Sequence, residues 1–141
     1  MFSAVKTLAH GLSLVQGVSH PAAGVLIDSL HIARSGEAQD SAALERLSST
    51  SGALFPYMQL CDGLPDCERS NEALIRDAVD DRSAPGEGAL HPGRVLDCLP
   101  GDIPLALEVR SRSYRERFPD PVERAVAVRQ ATMKFLEGRT T

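Results

Sequence analysis

Three side chains carry the chemistry this sequence could do. Asp28, Gln59 and Glu108 each lie at or near the end of a short apolar run: Gly24–Ile27, Leu54–Leu60 and Pro104–Val109. A carboxylate at such a place is costly to bury unless it is paired or bound to a cation. Three oxygen donors meeting at neighbouring strand ends would suit one hard divalent cation, Mg2+ or Mn2+ rather than zinc. His31 follows Asp28 by three residues, and Arg82 opens the turn Arg82-Ser-Ala-Pro-Gly-Glu-Gly88. Arg110, Arg112, Arg115 and Arg117 crowd the segment after the third run, where Arg110 or Arg112 could bind an anion. Each feature also has a plain structural alternative. Asp28 could cap a turn, Gln59 could bond a neighbouring strand, and Glu108 could pair with an arginine. His31 could be an ordinary loop histidine, and the arginine cluster a solvated loop. The shared position of the three donors favours a common site.

The elements that must position these residues alternate along the chain. Val5, Leu8, Ala9, Leu12 and Val15 recur at helical spacing, with Ser3 as the cap and Gly17 as the stop. Residues 24–27 read as a strand buried on both faces. Residues 34–40 read as a loop, and Asp40 or Ser41 starts a helix through Leu44 and Leu47. Leu54–Leu60 is the second strand, bent at its start by Pro56. Asn71–Val79 is helical, and Pro92 opens a short helix carrying Val95, Leu96 and Leu99. After the third strand the arginine-rich segment reads as a loop. Asp120-Pro121-Val122-Glu123 then starts the last helix, with Val122, Ala125, Val126, Met133 and Leu136 as its buried stripe. A helix followed by three strand–helix units specifies an α/β protein with parallel strands. In such proteins sites gather at the carboxyl ends of the strands.

Composition fits one globular domain. The 141 residues are 43% hydrophobic and 24% charged, with a net charge of −4. This excludes a disordered tail. The negative charge and 4% aromatic content argue against a nucleic-acid binder. No apolar stretch approaches the roughly 18 residues of a membrane span. His10, Gly11, Ser13 and Gln16 interrupt the apolar N-terminal segment, against a secretory signal. Cys61, Cys67 and Cys98 form no even framework, so a reduced, cytoplasmic setting is expected. Cys61, Cys67 and His91 lack zinc spacing.

Several segments together resemble the xylose isomerase-like TIM barrels, which include sugar phosphate isomerases and epimerases, with endonuclease IV a distant relative. They are Gly24-Val-Leu-Ile-Asp28-Ser-Leu-His31 with Arg34-Ser-Gly36, Tyr57-Met-Gln59-Leu-Cys-Asp62, Arg82-Ser-Ala-Pro-Gly-Glu-Gly88 and Leu105-Ala-Leu-Glu108-Val. The set covers nearly the whole chain and is specific for the superfamily, not for a substrate. The resemblance implies strands 6, 7 and 8 of an eight-stranded barrel, residues 1–141 forming one C-terminal half-barrel segment. It implies Asp28 and Glu108 as metal ligands, with Gln59 where many members carry a metal-binding histidine. Glu108 would also act as acid or base. His31 would approach the substrate, a sugar or a hydroxy or keto acid, as a catalytic or orienting group, and Arg82 would orient substrate oxygens. Gln59 is similar to the 3-dehydroshikimate dehydratase branch, so a lyase with His31 as base stands as the alternative. A full barrel takes about 250 residues. The resemblance therefore places strands 1–5, and a further metal-binding glutamate on strand 5, before Met1. A half-barrel leaves sheet edges and apolar interior exposed. The isolated chain is accordingly expected to self-associate, or to need a complementing half-barrel, and to be inactive alone.

Overall fold

A computed structural model describes residues 4–68 and 70–139. The element order is α1 (Leu8–Val18), β1 (Ile27–Asp28), α2 (Ser29–Arg34), α3 (Ser41–Ser49), a 3-10 turn (Gly52–Leu54), β2 (Met58–Leu60), α4 (Asn71–Val79), α5 (Gly93–Leu96), β3 (Leu105–Leu107), α6 (Arg112–Arg117) and α7 (Pro121–Glu137). The strands form one parallel sheet in the order β1-β2-β3. The expected α/β class and parallel order are both present.

The strands are shorter than the sequence suggests. Proline at 56 bends the chain, Gly52–Leu54 closes as a 3-10 turn, and pairing starts only at Met58. Ahead of β1, Val25 donates to the Leu54 carbonyl at 2.8 Å. Beyond β3, Glu108 donates to the Leu60 carbonyl at 3.3 Å. The extended conformation thus outruns the regular ladder at both ends.

One face of the sheet makes the core. Ile27, Met58 and Leu60 are at most 1% exposed and pack with Leu8, Leu12, Leu47, Val95, Leu99 and Ile103. Side chains alternate across a strand, and register partners share a face. Asp28, Gln59 and Ala106 are register partners, so they stand on the opposite face. Leu26 and Tyr57, each two residues earlier on that face, are 41% and 38% exposed.

Three expectations need correction. The first helix is capped by Thr7, whose hydroxyl accepts from His10 N, and it runs past Gly17 to a left-handed Ser19; the expected cap Ser3 lies outside the described residues. Arg112–Arg117 is a helix, not a loop, because the Ser111 hydroxyl caps it by accepting from Tyr114 N. The last helix turns a different face inward. Val128 and Thr132 are buried, with Ala127, Ala131 and Phe135 beside them on packed surfaces, while Val122, Val126 and Met133 are exposed. Small residues let α7 approach the Ala84–Tyr114 cluster closely, and the larger stripe is left outside. The Asp120 cap itself is as expected: its carboxylate accepts from Val122 N and Glu123 N.

Candidate functional site at the strand ends

Asp28 is the last residue of β1 and the N-cap of α2. Its Oδ1 accepts from Leu30 N at 2.8 Å and His31 N at 3.2 Å. The helix therefore begins immediately where the strand stops, and the carboxylate is fixed at the joint. Its other oxygen, Oδ2, accepts from Arg82 Nη1 at 3.1 Å. His31 Nε2 lies 3.8 Å from the same Oδ2, with its side chain 47% exposed.

Arg82 is held by a clamp of backbone. The segment before it continues from α4, and two antiparallel bridges pin residues 81–83 between the chain ends that follow β2 and β3. Asp62 and Ser83 exchange backbone hydrogen bonds of 2.9 and 2.8 Å, and Arg82 N donates to Arg110 O at 3.1 Å. The Arg82 side chain is then drawn under the strand ends. Its Nε donates to Ala78 O at 3.0 Å, Nη1 reaches Asp28 and the Cys61 sulfur at 3.3 Å, and Nη2 lies 3.8 Å from Glu108 Oε1. Burial alone would lower its pKa. The Asp28 charge and the Cys61 sulfur more than offset this, and the guanidinium stays charged.

Glu108 lies two residues beyond Ala106 and so shares the face of Asp28 and Gln59. Gln59 is half-buried, and its amide makes no hydrogen bond among the described residues. The three expected donors are therefore gathered at one end of one sheet face. They do not close on a common point. The place between Asp28 and Glu108 is taken by the Arg82 guanidinium, and among the described residues no three His, Cys, Asp or Glu side chains group as a metal cluster. Two of the plain structural readings also hold: Asp28 caps a helix and Glu108 faces an arginine. The donor types still suit a hard cation, and both carboxylates already converge on a positive charge, so they fit a divalent ion if the guanidinium yields its place.

Arg110 contributes its carbonyl to the clamp, while its side chain is exposed. With Arg115, which bonds Asp80 at 2.5 Å, and Arg112, it belongs to the cationic group that lowers the Asp80 pKa. Nothing brings Arg110 to Asp28 or Glu108. Cys61 is buried, and burial raises its thiol pKa, with Ser29 and Arg82 pulling the other way. The Ser29 hydroxyl donates to Cys61 O and accepts from Cys61 N, which ties α2 to the end of β2.

Asp62 enters the resemblance only as the last residue of its segment, with no role attached. Its Oδ1 accepts from Gly63 N and Leu90 N, at 2.9 and 2.8 Å, and its Oδ2 accepts from Gly86 N at 3.2 Å. This buried carboxylate folds the Pro-Gly-Glu-Gly turn back onto the end of β2. The turn needs its glycines. Gly86 has a φ of +83°, and a Cβ at Gly88 would lie 2.6 Å from Asp62 Oδ1 and overlap the Gly63 backbone. The pairing of an acid after a strand with a glycine-rich turn was a readable signal. Arg34 likewise belongs to the resemblance only through its motif. It forks onto Asp77, Nε to Oδ2 at 2.7 Å and Nη2 to Oδ1 at 2.9 Å, and also donates to the Leu64 and Pro65 carbonyls. It locks α2, α4 and the intervening loop together.

Beside β1 the surface opens into a groove of about 1350 Å³ that runs between α1 and α4 and reaches Asp28, His31 and Gln59. No further strand pairs with the free edge of β1 among the described residues. Two solved structures share this arrangement. The IolI protein with a bound zinc atom superimposes with a TM-score of 0.64 at 19% identity, covering 93% of this chain and 45% of that one. The fold is that of part of a TIM barrel. A xylose isomerase-like TIM barrel/4-hydroxyphenylpyruvate dioxygenase fusion protein matches with a TM-score of 0.63 at 21% identity, covering 97% of this chain and 22% of that one. The chain thus spans less than half the length of either neighbour, as the partial-barrel expectation requires. No protein-family model matches the sequence, and no curated protein sequence matches it. Among the described residues no helix is long and apolar enough to cross a membrane.

Proposed function

We propose that this chain supplies the late strand ends of a divalent-metal-dependent isomerase or epimerase acting on a sugar or sugar-like hydroxy or keto acid. The observation that carries the reading is the placement of Asp28, Gln59 and Glu108 on one sheet face at the carboxyl ends of adjacent parallel strands. The zinc of the IolI structure, a barrel of similar fold, supports a metal-binding reading of these strand ends. Asp28, Gln59 and Glu108 would hold the ion, and oxygen donors of this kind favour Mg2+ or Mn2+. A bound divalent ion would polarise a carbonyl and its neighbouring hydroxyl, lowering the cost of removing the intervening proton.

The chain's own groups divide the remaining work. Glu108 stands on the open face, partly exposed, where a carboxylate can take a proton from carbon and return it. His31 is exposed beside Asp28, where it would bond a substrate hydroxyl. Arg82 is buried against Asp28 and would act by holding that carboxylate in place. The open groove beside β1 and the exposed Leu26 and Tyr57 favour completion of the site by further strands, from a complementing half-barrel or a second copy. The lyase alternative has no geometric feature in its favour beyond Gln59 itself.

The test is solvent-deuterium incorporation. The chain, joined to the early strands of a barrel of the same fold so that the site is complete, is incubated with Mn2+ and a panel of ketoses and hydroxy-keto acids in heavy water. Metal-dependent exchange at the carbon beside the carbonyl, lost in Glu108→Gln, is the expected result. No exchange with any member of the panel contradicts the reading.

A further inference from the structure

The last helix carries an open apolar stripe. Val122, Val126 and Met133 are 69%, 50% and 41% exposed. At about 100° per residue they fall within about 40° of one another around α7. They stand roughly opposite Val128 and Phe135, which pack inward. The stripe therefore looks away from the sheet, apart from the strand ends and from the open edge of β1. A groove of about 340 Å³ runs along one flank of it, lined by Phe118, Val122, Glu123, Val126, Ala127 and Gln130. Glu123 and Lys134 stand on that same flank, both exposed and in no ion pair among the described residues. A continuous apolar surface with a charged rim marks a place of association.

We propose that α7 pairs with α7 of a second copy of this chain, antiparallel, about a two-fold axis at the level of Val128. The inference is independent of the metal-binding reading. Its basis is that the stripe and its rim are complementary to themselves. Met133 follows Val122 by the same interval as Lys134 follows Glu123. One two-fold axis therefore answers both pairs. It sets Met133 of the second copy beside Val122, over the groove, and Lys134 of the second copy beside Glu123, each within about 1.5 Å along the helix. Symmetry repeats every contact, so two apolar contacts and two ion pairs form together. Methionine, unbranched and adaptable, suits an irregular groove of this kind. A parallel pairing would instead turn Glu123 and Lys134 toward the other flank, which carries Arg129 and no acid. In the antiparallel pair Arg129 meets only its own copy, at a solvated rim where like charges are screened and cost little.

The test uses the full chain with Cys67 and Cys98, the two partly exposed thiols, replaced by Ser. A new thiol is added by Val126→Cys or by Glu137→Cys and treated with a short bis-maleimide. In the proposed pair the two copies of residue 126 stand about 6 Å apart along the helices, and those of residue 137 about 27 Å. Efficient cross-linking to a dimer is expected for Val126→Cys and almost none for Glu137→Cys. This readout holds whatever the open sheet edges do. Equal yields at the two positions, or none at Val126→Cys, overturn the pairing. Sedimentation equilibrium then tests the register. Lys134→Glu should raise the dimer dissociation constant about tenfold, by turning two weak attractions into repulsions. Glu123→Lys combined with Lys134→Glu should bring it back to within about threefold of wild type. A double variant as weak as the single one overturns the antiparallel arrangement. A wild-type chain that stays monomeric throughout assigns the stripe to a partner of another kind and overturns the proposal.

Discussion

Replacing Asp28 by Asn isolates the charge of the central carboxylate from its capping role. Asn is as good an N-cap as Asp, so the bonds to Leu30 N and His31 N survive. What is lost is the negative charge beside Arg82, a guanidinium only 3% exposed. Removing one partner of a buried ion pair costs about 3–5 kcal/mol, because the other charge is left uncompensated. Here Ala78 O still accepts from Nε and Glu108 remains within 3.8 Å. The expected loss therefore falls at or below the lower end, about 2–3 kcal/mol. Urea unfolding followed by far-ultraviolet circular dichroism reads this as a fall in midpoint of roughly 1 M at an unchanged slope near 2 kcal/mol/M. Asp28→Ala removes the cap as well and should cost about 1 kcal/mol more. If Asp28→Asn lies within about 0.5 kcal/mol of wild type, the typical range of neutral surface changes, Arg82 does not depend on Asp28 and the electrostatic account of the site fails.

Two further outcomes follow from other parts of the structure. Gly88→Ala drives a Cβ into the Gly63 backbone and Asp62 Oδ1, so it should destabilise the chain by about 1–3 kcal/mol and speed hydrogen exchange at Leu90 N; a wild-type midpoint would show that the turn can shift freely. Tyr114 is buried and donates to Glu87 Oε2 at 2.8 Å, and burial first, then this bond, pushes its pKa up to about 12. A phenol favoured in its neutral form by folding contributes stability that is complete below the unfolded-state pKa of about 10 and is lost as pH rises from there through the folded value. In a Tyr57→Phe background, ultraviolet titration should place Tyr114 near 12, and Glu87→Gln should bring it down; no change in Glu87→Gln would deny the bond.

Much of the architecture was legible because it is written in local signals. Asp40, Asp120 and Pro121 start helices by capping and by fixed φ, which are effects within a few residues. The apolar runs around Ile27, Met58 and Leu105 mark the three strands, but burial on both faces does not hold: Leu26 and Tyr57 lie on an open face, and Leu107 of β3 is 39% exposed. From those strand ends the shared face of Asp28, Gln59 and Glu108 could be anticipated. The errors came where tertiary packing decides. Apolar spacing alone marks Val122, Val126 and Met133 as the inner stripe of α7, but the neighbouring Ala84–Tyr114 cluster selects Val128 and Thr132 instead. Arg82 is the clearest case. Its type and its turn were visible, yet its burial between two carboxylates depends on bridges to Asp62 and Ser111 that join segments far apart in the chain. Arg110, by contrast, has the right position in sequence, but the same bridges use its backbone and leave its side chain outside.

The central proposal is that Asp28 and Glu108, at the carboxyl ends of β1 and β3, would hold a divalent ion. Crystals of the chain soaked in Mn2+ and measured for anomalous scattering test it directly. The proposal predicts one strong peak about 2.0–2.3 Å from oxygens of Asp28 and Glu108. Anomalous density confined to other sites would contradict it.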